Sequence, residues 1–521
     1  MNGVLTPAMR RTMYVLIGVA LIARLFAMDA YPLTDTTEAR YGEIARKMAE
    51  TGDWITPWFD WNVPFWGKPP LSFWLSAISM RVFGETEFAA RLPALLIAVI
   101  TCTLVFYLMR RERGRDAAVF AVLALATTLL FFVTGGAVVT DAALAFSVTI
   151  AMVAFWRHRH AAGRAATRWG YLCFAALGLG LLAKGPVALV LTIAPLMAWT
   201  VLIGAAQPAH ERQRLPWIGG VLLALAIAMP WYLLAEQKTP GFLHYFLLGE
   251  NFARFTDPHW AGDLYGSVHT RPIGYIWLSF LVAGLPWTPW LLLRSVRGAW
   301  RHARSLPQPD TLIGLARRDP WRSYLVLWML APVAFFTFAG SVLATYVLPA
   351  MPALALLIAD LAADRRAQPV ASPAASPSAS LVPRVALAAA AIVPLIAVGA
   401  VPYFNQVIAP DKTQAVLLSA LPPGATPRIA YFPHRPFSGS FYTRGRAIQV
   451  ADLGDLDARL RNGQFDYVVT TSNRPLPDDL AALLKPVSSA GSKRPSILWQ
   501  VREPRASARL NGSQNAGRAP G

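Results

Sequence analysis

The chain has 521 residues, 55% of them hydrophobic and only 15% charged. A soluble domain carries about 25% charge, and here the apolar residues cluster in runs approaching the ~20 residues that cross a bilayer. That composition excludes an ordinary soluble enzyme. The formal net charge of +19 would point to nucleic acid in a soluble protein. Here the arginines gather in short loops between apolar runs, where they set membrane orientation, so no nucleic-acid partner is expected. Cys102 and Cys173 both fall inside apolar runs and provide no disulfide framework.

In chain order, candidate spans fall near 12–28, 92–109, 117–135, 138–156, 170–184, 187–204, 217–235, 273–293, 323–340, 343–360 and 384–402. The predicted architecture is an all-α polytopic bundle of about 11–13 transmembrane helices. The first run lacks a small-residue cleavage site, which predicts a retained anchor. The segment 70–83 is apolar but short, as in a re-entrant or interfacial helix. One alternating set of loops collects Arg10 and Arg11, Arg110 to Arg115, Arg157 to Arg168, Arg212 and Arg214, Arg294 to Arg322, and Arg365 to Arg384. The positive-inside rule makes that side cytoplasmic. The opposite, periplasmic side of a bacterial inner membrane then receives two long loops, about 29–91 and 236–272, and everything after about 403. The expected domains are thus a membrane domain over 1–403, a small domain over 404–504 and a disordered tail over 505–521.

Gln368–Pro383 is low-complexity Ala/Ser/Pro and reads as a flexible linker. Beyond 403, strand-like runs (IAYF, AIQV, DYVVTT, SILWQV) alternate with helix-like ones (DLGDLDARLRN, LPDDLAALLK). This predicts a small α/β periplasmic domain.

The first long loop is dense in Trp, Phe and Pro, as suits a headgroup-level interface. Asp35 and Glu38 stand three residues apart at the start of a helix pattern in which Tyr41, Ile44, Ala45 and Met48 share a face. The pair reads either as a capping box, with Asp35 at N-cap, or as a carboxylate that orients or deprotonates an acceptor. Asp141, in VVTDAALAF, lies at the outer end of a span. It is either a helix N-cap or a functional carboxylate, since ionisable groups there are costly unless paired or wet. Lys184, in LLAKGPVAL, either snorkels to the interface or meets a phosphate. Arg40, Lys68 and Arg254 are further outer-loop cations, suited to anchoring or to holding a lipid phosphate. His244, His259 and His269 accompany Glu236, Glu250 and Asp257 in the second loop, without tight metal-ligand spacing.

A set of segments occurs in a specific order: TEARYGEIARKM, GDWITP, GKPPLSFW, FAARLPALL, VVTDAALAF, LLAKGPVALVL, GFLHYFLLGENFARF, LPWTPWLL and TYVLPAMPAL. The set, from about residue 30 to about 360, resembles the bacterial branch of the protein O-mannosyltransferase superfamily. Within it the chain is similar to the 4-amino-4-deoxy-L-arabinose lipid A transferase-like group. The resemblance implies a C-type glycosyltransferase fold, with a periplasmic cavity between the first two outer loops. It implies a sugar donor on undecaprenyl phosphate, an acceptor such as lipid A or another cell-envelope glycoconjugate, and surrounding membrane lipid.

Position by position, Glu38, Arg40 and Tyr41 match the family's first-loop motif, with Thr37 in place of a leading Asp for which Asp35 can stand in. Asp141 matches the second acidic position. Lys68 matches a phosphate-binding Lys in KPP, Arg254 matches a later Arg preceded by Glu250, and Tyr346 matches a late aromatic. Val342 replaces a late Lys. Gly67 and Asn251 stand where the lipid A enzymes hold zinc, so no metal is expected. The implied chemistry is inverting displacement at the anomeric carbon. Asp35 or Glu38, helped by Asp141, would orient the acceptor, while Arg40, Lys68, Lys184 and Arg254 bind the leaving phosphate. The rival readings are a lipid-linked sugar flippase, which favours polar groups at mid-membrane, and a non-catalytic partner of a glycosylation complex.

Overall fold

A computed structural model describes residues 6–204, 214–257, 260–266, 269–305, 314, 317–367, 378–424, 426–471, 476–492 and 495–502. His259 and the tail 505–521 lie outside them. The chain divides into two compact units. One comprises Met1–Ala30 and Ile44–Val401, and the other Tyr31–Glu43 and Pro402–Gly521.

The first unit is a membrane bundle. Among the described residues, seven helices are long and apolar enough to cross a bilayer: Pro7–Ala30, Glu87–Arg113, Thr140–Arg159, Gly163–Lys184, Trp217–Lys238, Ala344–Ala363 and Leu387–Lys412. An eighth span forms if the bent pair Tyr275–Ala283 and Trp287–Val296 is counted as one. Shorter helices, Arg115–Ala126, Leu129–Thr134, Val187–Gly204 and Pro320–Phe336, cover the remaining expected runs. The short apolar segment is also a helix, Leu71–Phe83. Large apolar side chains such as Ile22, Val82, Ile218, Leu222 and Phe252 stay exposed, as lipid-facing positions require.

Two expected spans are not straight. The run 117–135 breaks at Thr127 and Thr128, whose hydroxyls donate back to the carbonyls of Leu123 (2.6 Å) and Ala124 (2.7 Å). Such bonds compete with helix continuation. Leu129 N–H then donates to Leu285 O (2.8 Å). The run 273–293 bends by 110° at Gly284-Leu285-Pro286, where proline has no N–H to donate. The expected linker through Pro383 is also corrected in part. From Ser378 the chain is helical, to Gly399, because the alanine-rich run after Pro383 is a strong helix former. Residues 368–377 lie outside the described set.

Inside the bundle, Thr140–Arg159 is the most enclosed span, with 83% of its apolar window buried. Alanines along it allow close approach, and it pairs with Gly163–Lys184 as a helical hairpin. At the arginine-rich ends, the fully buried Asp360 takes Arg113 Nε (2.5 Å), Arg322 Nε (2.6 Å) and Trp321 Nε1 (3.1 Å). One carboxylate thereby ties three helices.

The second unit holds a five-stranded mixed sheet. Its strand order is Ile448–Gln449, Ile429–Phe432, Tyr467–Thr470, Ser496–Val501, Leu484–Ala490. The first three strands run parallel and the last two antiparallel. The edge strand Leu484–Ala490 takes over the last two residues, Leu484 and Lys485, of the run LPDDLAALLK expected to be helical. The helix stops at Ala482, and Pro486, poorly suited to a helix interior, is tolerated at a sheet edge beside a register shift. Residues Tyr31–Glu43 belong to this unit, although they open the first long loop. The Asp35 carboxylate accepts from Ser438 N–H (3.0 Å) and from the Ser438 hydroxyl. Leu33 N–H donates to the Tyr442 hydroxyl (2.7 Å), and Ser440 Oγ donates to Glu43 (2.8 Å).

Replacing Asp360 by Ala leaves Arg113 and Arg322 without their shared anion. The variant is expected to lose about 2–3 kcal/mol of stability, read as a lower unfolding midpoint in nanodiscs. An unchanged midpoint would show that the three-helix tie contributes nothing.

Candidate functional site

Within the membrane unit, charged residues from three distant parts of the sequence meet at one cavity. Lys68 is supplied by the GKPP turn. Pro70 stands at the N-cap of Leu71–Phe83, its backbone already in the αR region. The turn is pinned by aromatics: Trp66 N–H donates to Tyr265 Oη (3.1 Å), Tyr265 Oη donates to Pro64 O (2.8 Å), and Trp66 Nε1 donates to Thr239 Oγ1 (3.1 Å). Lys68 Nζ also donates to Gly67 O (2.7 Å). At Gly67 an added Cβ would come within 2.9 Å of the Phe65 ring, so a larger residue requires that ring to move.

Glu250 and Arg254 come from the second long loop. Glu250 sits in the π-helical segment Tyr245–Ala253 and Arg254 just beyond it. The Glu250 carboxylate is in direct contact with Lys68 Nζ. Both its oxygens lie 3.0 Å from Arg254 Nη1. Arg254 is also 3.6 Å from Asp263 Oδ2, and its Nε is buried with no hydrogen-bond partner among the described residues. Burial opposes ionisation of Glu250, but the Lys68 and Arg254 charges outweigh it and hold the carboxyl below its usual range. Burial pushes the Tyr265 phenol up to about 12, so it remains a neutral hydrogen-bonding pin.

The third contribution is a pair at the outer ends of two spans. Lys184 Nζ donates to Asp141 Oδ1 at 2.5 Å and stands 4.2 Å above the Tyr346 ring. The two candidate roles therefore meet in one ion pair, and the N-cap reading of Asp141 is corrected: the residue lies in the first turn, after Val139 at N-cap, and its carboxylate is spent on Lys184. Lys184 turns inward and is 8% exposed, which excludes snorkelling. Gly185 ends its helix at φ +76°, and an added Cβ there would come within 2.5 Å of the Phe246 ring.

These groups line a cavity of about 160 Å³. Its wall includes Lys68, Lys184, Glu250, Asn251, Arg254, Ser341 and Tyr346 on the polar side. Val187, Val190, Phe246, Phe255, Phe335 and Phe336 form the apolar side. In the sequence Asn251 stands out only as the residue at an expected zinc-ligand position. Ser341 does not stand out, and its only signal is adjacency to Val342.

Not every candidate joins this cluster. Asp35, Glu38, Arg40 and Tyr41 belong to the other unit. There the helix starts at Thr37, so Asp35 lies ahead of the N-cap and bonds Ser438 instead of closing a capping box. Burial raises the Asp35 carboxyl above its usual range, against the hydrogen bonds from Ser438. The Arg40 guanidinium stacks 5.2 Å from the Tyr41 ring and 5.9 Å from the Phe437 ring. Val342 is buried at 5% exposure. His244 and His269 are exposed. At the two expected zinc-ligand positions, Gly67 has no ligand atom and Asn251 Nδ2 donates to Phe246 O (2.7 Å); no three His, Cys, Asp or Glu side chains converge among the described residues.

A helical membrane bundle joined to a small α/β unit, with a cationic cavity at the outer ends of its spans, defines the class: a C-type glycosyltransferase fold. Residues 26–246 match the family model for dolichyl-phosphate-mannose-protein mannosyltransferase. The chain is 30% identical over 341 residues to the undecaprenyl phosphate-alpha-4-amino-4-deoxy-L-arabinose arabinosyl transferase of Aeromonas hydrophila, covering 64% of this chain and 57% of that protein. It is 31% identical over 327 residues to the Edwardsiella ictaluri protein of the same name, covering 62% and 54%. The chain thus spans little more than half the length of these curated relatives. The crystal structure of ArnT from Cupriavidus metallidurans bound to undecaprenyl phosphate superposes with a TM-score of 0.72 at 22% identity, over 94% of this chain and 98% of that one. The chain is thus similar over residues 26–246 to the dolichyl-phosphate-mannose-protein mannosyltransferase family and over about two thirds of its length to the aminoarabinosyl transferases.

Because the Glu250 carboxyl is depressed, its stabilising effect is complete above the ordinary value of about 4.3 and is lost as pH falls through the lower folded value. The unfolding-midpoint advantage of the wild type over Glu250→Gln should be full at pH 6–7 and shrink toward pH 3; a constant gap would contradict the charge pairing. Gly185→Ala combines positive φ with the Phe246 contact and should cost about 2 kcal/mol in the same assay.

Proposed function

We propose that the protein is an inverting glycosyltransferase that moves a sugar from a polyprenyl-phosphate carrier, undecaprenyl phosphate in a bacterial inner membrane, to an acceptor on the periplasmic side. The observation that carries the reading is the Lys68–Glu250–Arg254 cluster on the wall of a half-apolar cavity. A departing prenyl phosphate gains negative charge as the glycosidic bond breaks. Two cations preset by one carboxylate offset that charge without reorganising, and Arg254 Nε is a buried donor with capacity for an anion. The aromatic and valine wall suits an isoprenoid chain. The likeness to a fold solved with undecaprenyl phosphate supports the same donor class.

Roles follow from the partners each group holds. Lys68 and Arg254 bind the donor phosphate, and Glu250 positions them. Lys184, already paired with Asp141, supports this field through Tyr346, and Asp141 fixes Lys184. Glu38, at the family-like first-loop motif with Arg40 and Tyr41, or Asp35, held by Ser438, is the first-loop carboxylate proposed to orient the acceptor and take its proton. For an acceptor that is already a phosphate anion, orientation alone suffices. The names of the relatives point to lipid A or another envelope glycoconjugate as acceptor. The candidate charges lie at span ends and loops, which disfavours a flippase with a mid-membrane site.

Lys68→Ala and Arg254→Ala should each lower kcat/KM for sugar transfer by about 10²–10³-fold, and Glu38→Ala should lower kcat more than it changes donor KM. The assay is transfer from a synthetic polyprenyl-phosphate sugar by protein in nanodiscs. Wild-type rates in the Lys68 and Arg254 variants would overturn the phosphate assignment. Mass spectrometry of lipid A and total glycolipids from deletion and complemented strains identifies the acceptor: a sugar-sized mass that disappears and returns with the gene marks it.

A further inference from the structure

A second cavity of the membrane unit, about 340 Å³, shares no lining residue with the cationic one. It is a groove between Pro7–Ala30, Glu87–Arg113, Arg115–Ala126 and Leu129–Thr134. Its floor is closed by packing, with Ala20, Val119, Phe131 and Phe132 buried. Its rim is open, with Tyr14, Leu21 and Val99 exposed. Exposed apolar side chains on spans face lipid, so the groove opens to the bilayer.

Among the described residues that line it, Arg24 carries the only charge. Arg24 is 5% exposed. Its guanidinium is seated at Gly136, where an added Cβ would come within 2.2 Å of Nε, and lies 5.9 Å from the centroid of the Phe132 ring. A residue without a Cβ is what admits the cation there. Arg24 stands toward the periplasmic end of its span, and Tyr14 toward the arginine-rich cytoplasmic end. From Arg24 to Tyr14 on one helix, and from Leu95 to Phe106 on the next, the lining runs about 15 Å at 1.5 Å per residue. That is the depth of one leaflet, half of a hydrocarbon core of ~30 Å.

A trough of this shape takes a hydrocarbon chain, and a guanidinium at its outer end takes a phosphate, whose geometry its planar fork matches. A headgroup with net negative charge gains more from that cation than a zwitterionic one, whose own ammonium offsets the phosphate. Basic pockets between membrane helices hold anionic lipid headgroups on this principle. We propose that the groove is a binding site for an anionic phospholipid of the outer leaflet, with its phosphate on Arg24 and one acyl chain lying along the groove toward Tyr14. This lipid is distinct from the sugar donor, whose phosphate is assigned to the Lys68–Glu250–Arg254 cluster.

The test uses the full chain, delipidated in detergent and titrated with phosphatidylglycerol or phosphatidylethanolamine of matched chains. Bound lipid is counted by native mass spectrometry. Cys102 is a built-in reporter, since it is half-buried and lines the groove, whereas Cys173 is buried elsewhere. Phosphatidylglycerol should bind about fivefold more tightly than phosphatidylethanolamine, the worth of one arginine near an anionic lipid, and should slow maleimide labelling of Cys102. Arg24→Gln should erase that preference. Val99→Trp fills the groove from its rim and leaves Arg24 in place, so it should lower the binding of both lipids even if the Arg24 variant does not fold. Equal binding of the two lipids by the wild type, or an unchanged preference in Arg24→Gln, overturns the anion assignment. Unchanged binding in Val99→Trp, or no protection of Cys102, overturns the groove as the site. Displacement of phosphatidylglycerol by undecaprenyl phosphate, with Cys102 still protected, overturns the choice of a phospholipid and makes the groove a second carrier site.

Discussion

The charge balance around Glu250 is the constraint on which the functional part of the membrane unit depends. Removing a carboxylate and two cations from water is costly unless each finds its partner in good geometry. Near a membrane that geometry has to be built from the protein itself. The rest of the local structure serves this requirement. The Trp66 and Tyr265 pins fix the KPP turn, the π-helical segment presents Glu250, and the turn at Gly185 admits the Phe246 ring at the cavity wall. Glu250 makes the pair of cations affordable in the absence of ligand and leaves Arg254 with donor capacity for an anion. The cluster is therefore ready for a phosphate before one arrives, and this is the physical content of electrostatic preorganisation.

A second economy concerns the acidic residues. Asp35 and Asp141 read as candidate catalytic carboxylates in sequence, yet both, like Glu250, have a structural partner. Asp35 anchors the start of the first long loop to the Phe437–Tyr442 segment within the α/β unit. Asp141 holds Lys184, and Glu250 holds Lys68 and Arg254. The α/β unit thus does more than follow the membrane domain in sequence. It includes the segment that carries Glu38, Arg40 and Tyr41, and its strands and helices form the setting in which that segment folds.

The fold of the Cupriavidus metallidurans structure extends over nearly the whole chain. Gly67, Asn251 and Val342 depart from the motifs of the resembled group. Gly67 is packed against the Phe65 ring, Asn251 bonds the backbone of its own segment, and Val342 is buried. Of the three, only Asn251 lines the cavity; the scaffold is fixed by apolar packing and the site by a few side chains.

The sequence by itself determined the membrane class, the approximate position of the long apolar runs, the alternation of the C-terminal unit and the identity of most charged residues at the cavity. Hydrophobic run length and β-branched alternation are local properties, and each is readable from its own segment. What only the tertiary structure decided was partnership. The break at Thr127–Thr128, the 110° bend at Gly284–Pro286 and the edge strand around Pro486 depend on back-bonding hydroxyls, on proline geometry and on sheet position. Runs of hydrophobicity do not encode these. The pairing of Lys68 with Glu250, 182 residues away, and of Asp35 with Ser438, 403 residues away, is likewise invisible to spacing. A carboxylate's role follows from the cation or hydroxyl that folding brings to it, and that is settled only when the chain closes on itself.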